Sequence, residues 1–295
     1  MTEIIYNGYI KEELNRQYNM GLEPYMPDGR LRTMHGRPQY MKDSAIRNKE
    51  FSEHCIELLK PQEDIPYCDD HPKQVFDLYE AKGDNNPFVI MLSGGQYMRG
   101  KSKVWSQWSM KLLDAGISFI DLDHPQIPDT TLPNMVDNAE DFLYWIKDEA
   151  HNYGLDNTRI IVAGHSSGAS VMASALVRLA NDGNSDGIKG MMMLSGNYDL
   201  IGPALSFRQD FLKLSTQDII DCSAIRNLVE PLPPMFIACG ELETDEMKRQ
   251  QQIFHDAVSL RSHSEIVTFP TDHFALGMEL YENDSKMWKF IMEHI

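Results

Sequence analysis

A chain of 295 residues with 42 % apolar side chains is within the range of one large α/β domain and apolar enough to bury a substantial core. Its 44 acidic residues outnumber 27 basic ones, a net charge of −17 that repels phosphate backbones and anionic head groups and so argues against nucleic acid or a membrane surface as partner. No stretch reaches the ~18 apolar residues that a spanning helix requires.

The first nineteen residues carry neither a basic n-region nor an apolar h-region, so no secretory leader is expected. Residues 1–70 read as helices and loops, with helical spacing over Ile10–Tyr18 and Ser44–Leu59. From about residue 70 short β-type runs alternate with amphipathic helices. The predicted strands are Gln74–Tyr79, Phe88–Leu92, Ile117–Asp121, Arg159–Ala163, Gly190–Leu194, Met235–Cys239 and Glu265–Phe269. Several are continuously apolar, as strands buried on both faces of a parallel sheet must be. The predicted helices between them are Trp105–Ala115, Pro133–Ala150, Ala169–Ala180, Asp245–Leu260 and Asp284–His294. In the second, Val136, Ala139, Leu143 and Ile146 form one stripe and Pro133 sits in the first turn. Alternating β and α segments imply a mostly parallel, doubly wound sheet with helices on both faces, within a single domain spanning 1–295. Residues 200–230 break the rhythm and are expected to form a cap insertion. Four cysteines (Cys55, Cys68, Cys222, Cys239) lack C-x-x-C spacing. They argue for neither a disulfide framework nor a zinc site, and fit a reduced, cytoplasmic setting.

The chemistry concentrates at Gly164-His165-Ser166-Ser167-Gly168. A nucleophile on a sharp strand-to-helix turn needs small residues two positions to either side, and here a predicted strand precedes and a helix follows. Ser166 is therefore the expected nucleophile, lifted out of the sheet, with the Ser167 N–H at the start of a helix where negative charge is favoured. His165 is expected to point away from Ser166, as a packing residue or as a support for the groups that meet the substrate. After the strand Phe88–Leu92 come Ser93-Gly94-Gly95-Gln96-Tyr97. Adjacent glycines can turn backbone N–H groups toward a developing oxyanion, so Gly94, Gly95 and Ser167 are the expected oxyanion hole.

A histidine beyond the last strand should return to the serine, and His273 follows Glu265–Phe269 in that way. His263 precedes that strand, on the wrong edge. The acid should follow Met235–Cys239, where Glu241, Glu243, Asp245 and Glu246 all stand, with Asp199 as a further candidate after an earlier strand. Spacing does not choose among these.

Taken together, these residues resemble the kynurenine formamidase and esterase branch of the α/β-hydrolases, close to the hormone-sensitive-lipase group. The resemblance runs along nearly the whole chain: Glu13–Asn19, Asp64-Ile65-Pro66-Tyr67 through His71-Pro72, Asp77-Leu78-Tyr79, Gly164–Gly168, Ser195–Leu200, Gly240–Glu246 with Arg249-Gln250, and His273-Phe274. It implies an α/β-hydrolase fold and places the catalytic acid on Glu243. One departure stands out. The family's usual His-Gly-Gly-Tyr-Trp segment has Ser93 in place of the histidine and Gln96-Tyr97 in place of the aromatic pair.

The expected activity is hydrolysis of a small ester or an N-formyl or N-acyl amide through an acyl-enzyme on Ser166, with His273 as base, Glu243 orienting it, and no metal or organic cofactor. An acyltransferase or lyase using the same triad, or a ligand receptor with a vestigial one, are the alternatives. The expected partner is a small-molecule ester or amide; a homodimer is compatible with the sequence. Ser93, Tyr97 and Trp105, with Trp108, are expected to line an aromatic-accepting pocket, the alternative for the tryptophans being that they pack the following helix on the sheet.

Overall fold

The computed structural model describes residues 3–19, 39–99 and 103–295, so residues 20–38 of the expected N-terminal segment lie outside the described residues. In chain order the strands and α-helices are β1 (Ile4–Tyr6), β2 (Tyr9–Ile10), α1 (Lys11–Tyr18), α2 (Gln39–Leu59), β3 (Gln62–Pro66), β4 (Val75–Tyr79), β5 (Asn86–Leu92), α3 (Gln107–Asp114), β6 (Ser118–Leu122), α4 (Leu132–Glu149), β7 (Leu155–His165), α5 (Ser167–Asn181), β8 (Ile188–Leu194), α6 (Ile201–Leu205), α7 (Gln209–Leu212), α8 (Thr216–Asp221), β9 (Met235–Gly240), α9 (Asp245–Ser259), β10 (Ser264–Phe269) and α10 (Lys286–His294).

Eight strands form one sheet in the order β10-β9-β8-β7-β5-β6-β4-β3. From β10 to β6 neighbours run parallel; β4 and β3 are antiparallel to theirs. The apolar runs of β5, β9 and the later part of β7 are continuous because alternate side chains enter two different cores. On β5, Phe88, Ile90 and Leu92 face one layer and Val89 and Met91 the other. On β7, Ile160 and Val162 part from Ile161 and Ala163 in the same way. The first layer is closed by α4, α5 and α9, through residues such as Val136, Leu176 and Phe254. The second is closed by α3 and α10, through Trp108 and Phe290, with Ile56 and Leu59 of α2 at its margin. Helix α4 starts where its sequence says it should: Thr131 caps it by accepting from the Asn134 N–H at 3.4 Å, and Pro133 sits where no intrahelical donor is needed.

The structure adds strands that the sequence pattern does not show. β1 and β2 are a two-strand ribbon of three and two residues, too short for periodicity to register. β3 is an edge strand of largely exposed polar residues, irregular at Asp64, whose N–H is held by the Asp77 carboxylate at 2.8 Å. Charge on an edge guards it from pairing with another chain, and it also erases the apolar alternation that would announce a strand. Trp105 lies in a 3₁₀ turn (Val104–Ser106) ahead of α3 rather than in the helix itself. Between β8 and β9, α6, α7 and α8 and a 3₁₀ turn (Ala224–Arg226) occupy the stretch that breaks the β-α rhythm.

Candidate active site

Parallel strands put the residues that follow them at one edge of the sheet, and in open α/β sheets that carboxyl edge is where ligands bind. Gly94 follows β5, Ser166 follows β7, Glu243 follows β9 and His273 follows β10, so all four gather there. His263 lies at the opposite end of β10, largely exposed, 3.7 Å from Glu265.

Ser166 joins β7 to α5 with φ 56° and ψ −125°, a conformation that costs a non-glycine residue roughly 1–3 kcal/mol and persists only when the surroundings impose it. The surroundings do impose it. The Ser166 N–H donates to the Leu194 carbonyl of β8 at 2.8 Å. A side chain at Gly164 would stand 2.7 Å from the Ala169 Cα, and one at Gly168 would strike the carbonyls of Leu92 and Ser93. The turn therefore closes only with glycine on both sides, which is why the motif reads as it does.

Glu243 and His273 form a buried pair, Nδ1 to Oε2 at 2.7 Å. The other Glu243 oxygen accepts from the Ser195 hydroxyl at 2.5 Å and the Gly240 N–H at 2.8 Å. Burial pushes the carboxyl pKa up, but the positive charge of His273 and the hydrogen bonds from His273, Ser195 and Gly240 outweigh it and hold Glu243 below the ordinary carboxylate value. The rival acids are placed elsewhere. Glu241 is exposed, Asp245 is exposed beside Lys248, Glu246 binds Arg249 and the Tyr18 hydroxyl, and Asp199 pairs with Arg226.

Two braces hold the His273 loop; sequence reasoning missed the first, and the second is His165, expected to pack rather than face Ser166. Asp272 accepts from the backbone N–H groups of Phe274 and Ala275 at 2.7 and 3.2 Å and from the Ser44 hydroxyl of α2 at 2.7 Å, while Asn48 of α2 donates to the Phe274 carbonyl. On the other side His165, adjacent to Ser166, lies with its ring 4.5 Å from that of His273 and its Nε2 3.0 Å from the His273 carbonyl oxygen. A carbonyl only accepts, so Nε2 carries the proton and donates. Burial first, then the positive charge of His273, push the His165 pKa down to about 3. A histidine whose folded pKa lies below its ordinary 6.5 is protonated more readily in the unfolded chain between those values, so its contribution to stability is full above pH 6.5 and is lost as pH falls toward 3. We expect Tm to fall between pH 6.5 and 5, and to fall less steeply in His165→Gln, which keeps a donor but not the titration. Equal slopes in thermal melts of the two proteins would contradict this account of His165.

The oxyanion loop differs from expectation in one respect. Gly94 lies against Ser166: a Cβ there would stand 2.5 Å from the Ser166 Cβ and 3.2 Å from its hydroxyl oxygen. Gly95 does not offer its N–H, because that group donates to the Ser167 hydroxyl at 3.0 Å, and the Tyr97 N–H donates to the same oxygen at 3.1 Å. Of the expected trio, the Gly94 and Ser167 N–H groups have no hydrogen-bond acceptor among the described residues. Gly95 serves instead in the anchor made by the Ser167 side chain. Of the expected pocket residues, Ser93 is buried at the end of β5 with its carbonyl against Gly168. Tyr97 is buried beside Ser170 and Asn197. Trp105 belongs to the core instead of a pocket wall: its ring packs edge-on to Trp108 at 5.0 Å, touches His165 at 5.0 Å and fills the space beside Gly277. Trp108 is fixed by donating to the Gly277 carbonyl at 2.8 Å. Among the described residues no helix is long and apolar enough to cross a membrane.

A family model described as BD-FAE matches residues 76–232, from β4 through α8. The chain is 30 % identical over 141 residues to the isoprenylcysteine alpha-carbonyl methylesterase of Arabidopsis thaliana, a match covering 44 % of this chain and 33 % of that protein. A relative from Oryza sativa subsp. japonica described as a probable isoprenylcysteine alpha-carbonyl methylesterase is 24 % identical over 216 residues, 64 % of this chain and 51 % of the relative. The chain thus spans about half the length, or less, of these relatives. Among solved structures, a hyperthermophilic esterase from the archaeon Pyrobaculum calidifontis superposes with a TM-score of 0.68 at 18 % identity, over 87 % of this chain and 95 % of that one. A thermostable carboxylesterase cloned from a metagenomic library gives 0.64 at 17 % identity, over 85 % and 94 %. Likeness at such low identity is likeness of fold.

Proposed function

Since the chain belongs to the BD-FAE family of α/β-hydrolases, we propose that it is a serine hydrolase that cleaves a small ester, or an N-formyl or N-acyl amide, through an acyl-enzyme on Ser166. The observation that carries this reading is the buried 2.7 Å Glu243–His273 pair at the same sheet edge as a serine held at φ 56° on a strand-to-helix turn. His273 takes the Ser166 proton as the hydroxyl attacks the carbonyl carbon. Glu243 keeps the Nδ1 proton in place and stabilises the imidazolium that forms. The N–H groups of Gly94 and Ser167 receive the oxyanion, the second at the positive end of α5. His273 then returns its proton to the leaving group, and water activated by the same histidine releases the acid. Residues 200–230 we read as a cap over the site.

Formyl-amide chemistry follows from the resemblance to the formamidase branch, and ester chemistry is what the matched relatives and structures are described as performing. Ser93 stands where that branch has histidine, and we read N-formylkynurenine as a poor substrate for that reason. Comparing kcat/KM for p-nitrophenyl acetate, p-nitrophenyl octanoate and N-formylkynurenine tests the substrate class. Acetate should lead octanoate by about tenfold or more, roughly 1.4 kcal/mol of transition-state discrimination. A preference for octanoate would overturn the short-acyl reading.

A further inference from the structure

Arg208, just ahead of α7, is 4 % exposed, and a charge that deep is normally matched by a carboxylate. Here it is not. Its Nη2 donates to the Tyr18 carbonyl at 2.9 Å and its guanidinium lies over the Tyr18 ring at 5.1 Å. No acidic side chain pairs with it among the described residues, and its Nε has no acceptor. In a chain of net charge −17 a buried cation with no carboxylate partner among the described residues is conspicuous. Removing it from water without compensation costs several kcal/mol, roughly, unless an anion completes it.

The groups around it are incomplete in the same way. The Tyr97 hydroxyl is buried in the field of Arg208, beside Ser170 and Asn197; among the described residues it makes no hydrogen bond of ordinary geometry, and the Asn197 Oδ1 finds no donor. These residues adjoin the candidate nucleophile. The Asn197 N–H donates to the Ser170 hydroxyl at 2.8 Å, Ser170 lies one helical turn beyond Ser166, and the Tyr97 N–H donates to Ser167. A buried guanidinium with a spare Nε–H, next to a phenol free to donate, is the donor set for a planar carboxylate. Asn197 would then present its amide to the same ligand.

We propose that Arg208, Tyr97 and Asn197 form a specificity site for a carboxylate carried by the substrate, so that the preferred ester or amide is anionic. The proposal rests on the serine hydrolase reading for its location beside Ser166, and its test separates the two. One arm compares mono-4-nitrophenyl glutarate with 4-nitrophenyl valerate, which places the carboxylate on the acyl group. The other compares 3-acetoxybenzoate with phenyl acetate, which places it on the leaving group. In at least one arm the anionic member should have the higher kcat/KM, by about tenfold or more. Arg208→Met should bring that ratio to about one, and Arg208→Lys, a point charge without the planar fork, should keep only part of it. A purely structural Arg208 would lower both members of a pair equally, so the ratio is the readout. Should Arg208→Met not fold, the ratio in Tyr97→Phe decides, and it should fall. Ratios near one in both wild-type arms, or a preference that survives these substitutions, would overturn the proposal. If no ester in either arm is turned over, the hydrolase reading fails, and calorimetric binding of glutarate decides separately: binding by wild type that Arg208→Met loses supports the carboxylate site, and no binding by wild type overturns it.

Discussion

Replacing Ser166 with alanine is expected to leave a folded protein whose ester turnover has dropped by about 10⁴-fold or more. The size follows from what is lost: without the hydroxyl no acyl-enzyme forms, and only the oxyanion donors and substrate binding remain to speed direct attack by water. Folding should survive because the turn does not depend on that hydroxyl. The Ser166 backbone N–H is tied to Leu194, the glycines at 164 and 168 relieve the crowding, and the Ser167 side chain, left intact, still anchors the Gly95 and Tyr97 N–H groups. The measurement is steady-state kinetics on protein whose melting temperature matches wild type. Turnover within tenfold or so of wild type would remove Ser166 from the mechanism.

Glu243→Gln is the second large effect, an expected fall in kcat of about 10³ to 10⁴-fold. The argument is one of proton position. The Glu243 Oε1 accepts from Ser195 and from the Gly240 N–H, two donors that a glutamine satisfies only with its carbonyl oxygen. Its NH₂ group is then turned toward His273 Nδ1, which must become the acceptor. That tautomer carries its proton on Nε2 and has no lone pair there to receive the proton of a serine. The carboxylate charge that would stabilise the imidazolium is lost as well. Asp199→Asn and Asp245→Asn should change kcat little, since those carboxylates serve Arg226 and Lys248. A larger loss in Asp199→Asn than in Glu243→Gln would move the acid to the loop after β8.

The sheet was legible because a strand buried on both faces leaves an apolar run, as in β5, β9 and the later part of β7, and β4 to β10 all lie on the expected strands, with ends shifted by a few residues. The start of β7 was hidden, since Asp156, Asn157 and Thr158 are polar although they extend the strand. β3 was hidden for the same reason. The serine turn could be read locally, because the strain that lifts a nucleophile demands glycines at fixed offsets. The acid could not, since four carboxylates within six residues differ only in what folding brings to each of them. The brace that α2 provides on the His273 loop had no local signal at all. Ser44 and Asp272 are 228 residues apart, and Asn48 reads as an ordinary polar residue on an amphipathic helix. The role of the Ser167 side chain was equally invisible. Its hydroxyl pins the oxyanion loop through Gly95 and Tyr97, which gives that loop a brace in a chain with serine where the related branch carries histidine.

The central claim is that a covalent intermediate forms on Ser166. Brief reaction of the wild-type protein with an alkyl fluorophosphonate, followed by intact-mass and peptide mass spectrometry, tests it most directly, because such reagents are attacked by a serine whose proton a neighbouring base removes. The account predicts one adduct per chain, on the peptide that contains Ser166, formed in parallel with loss of esterase activity and absent in Ser166→Ala. Loss of activity with the adduct on another residue, or an active protein that takes up no label, would contradict it.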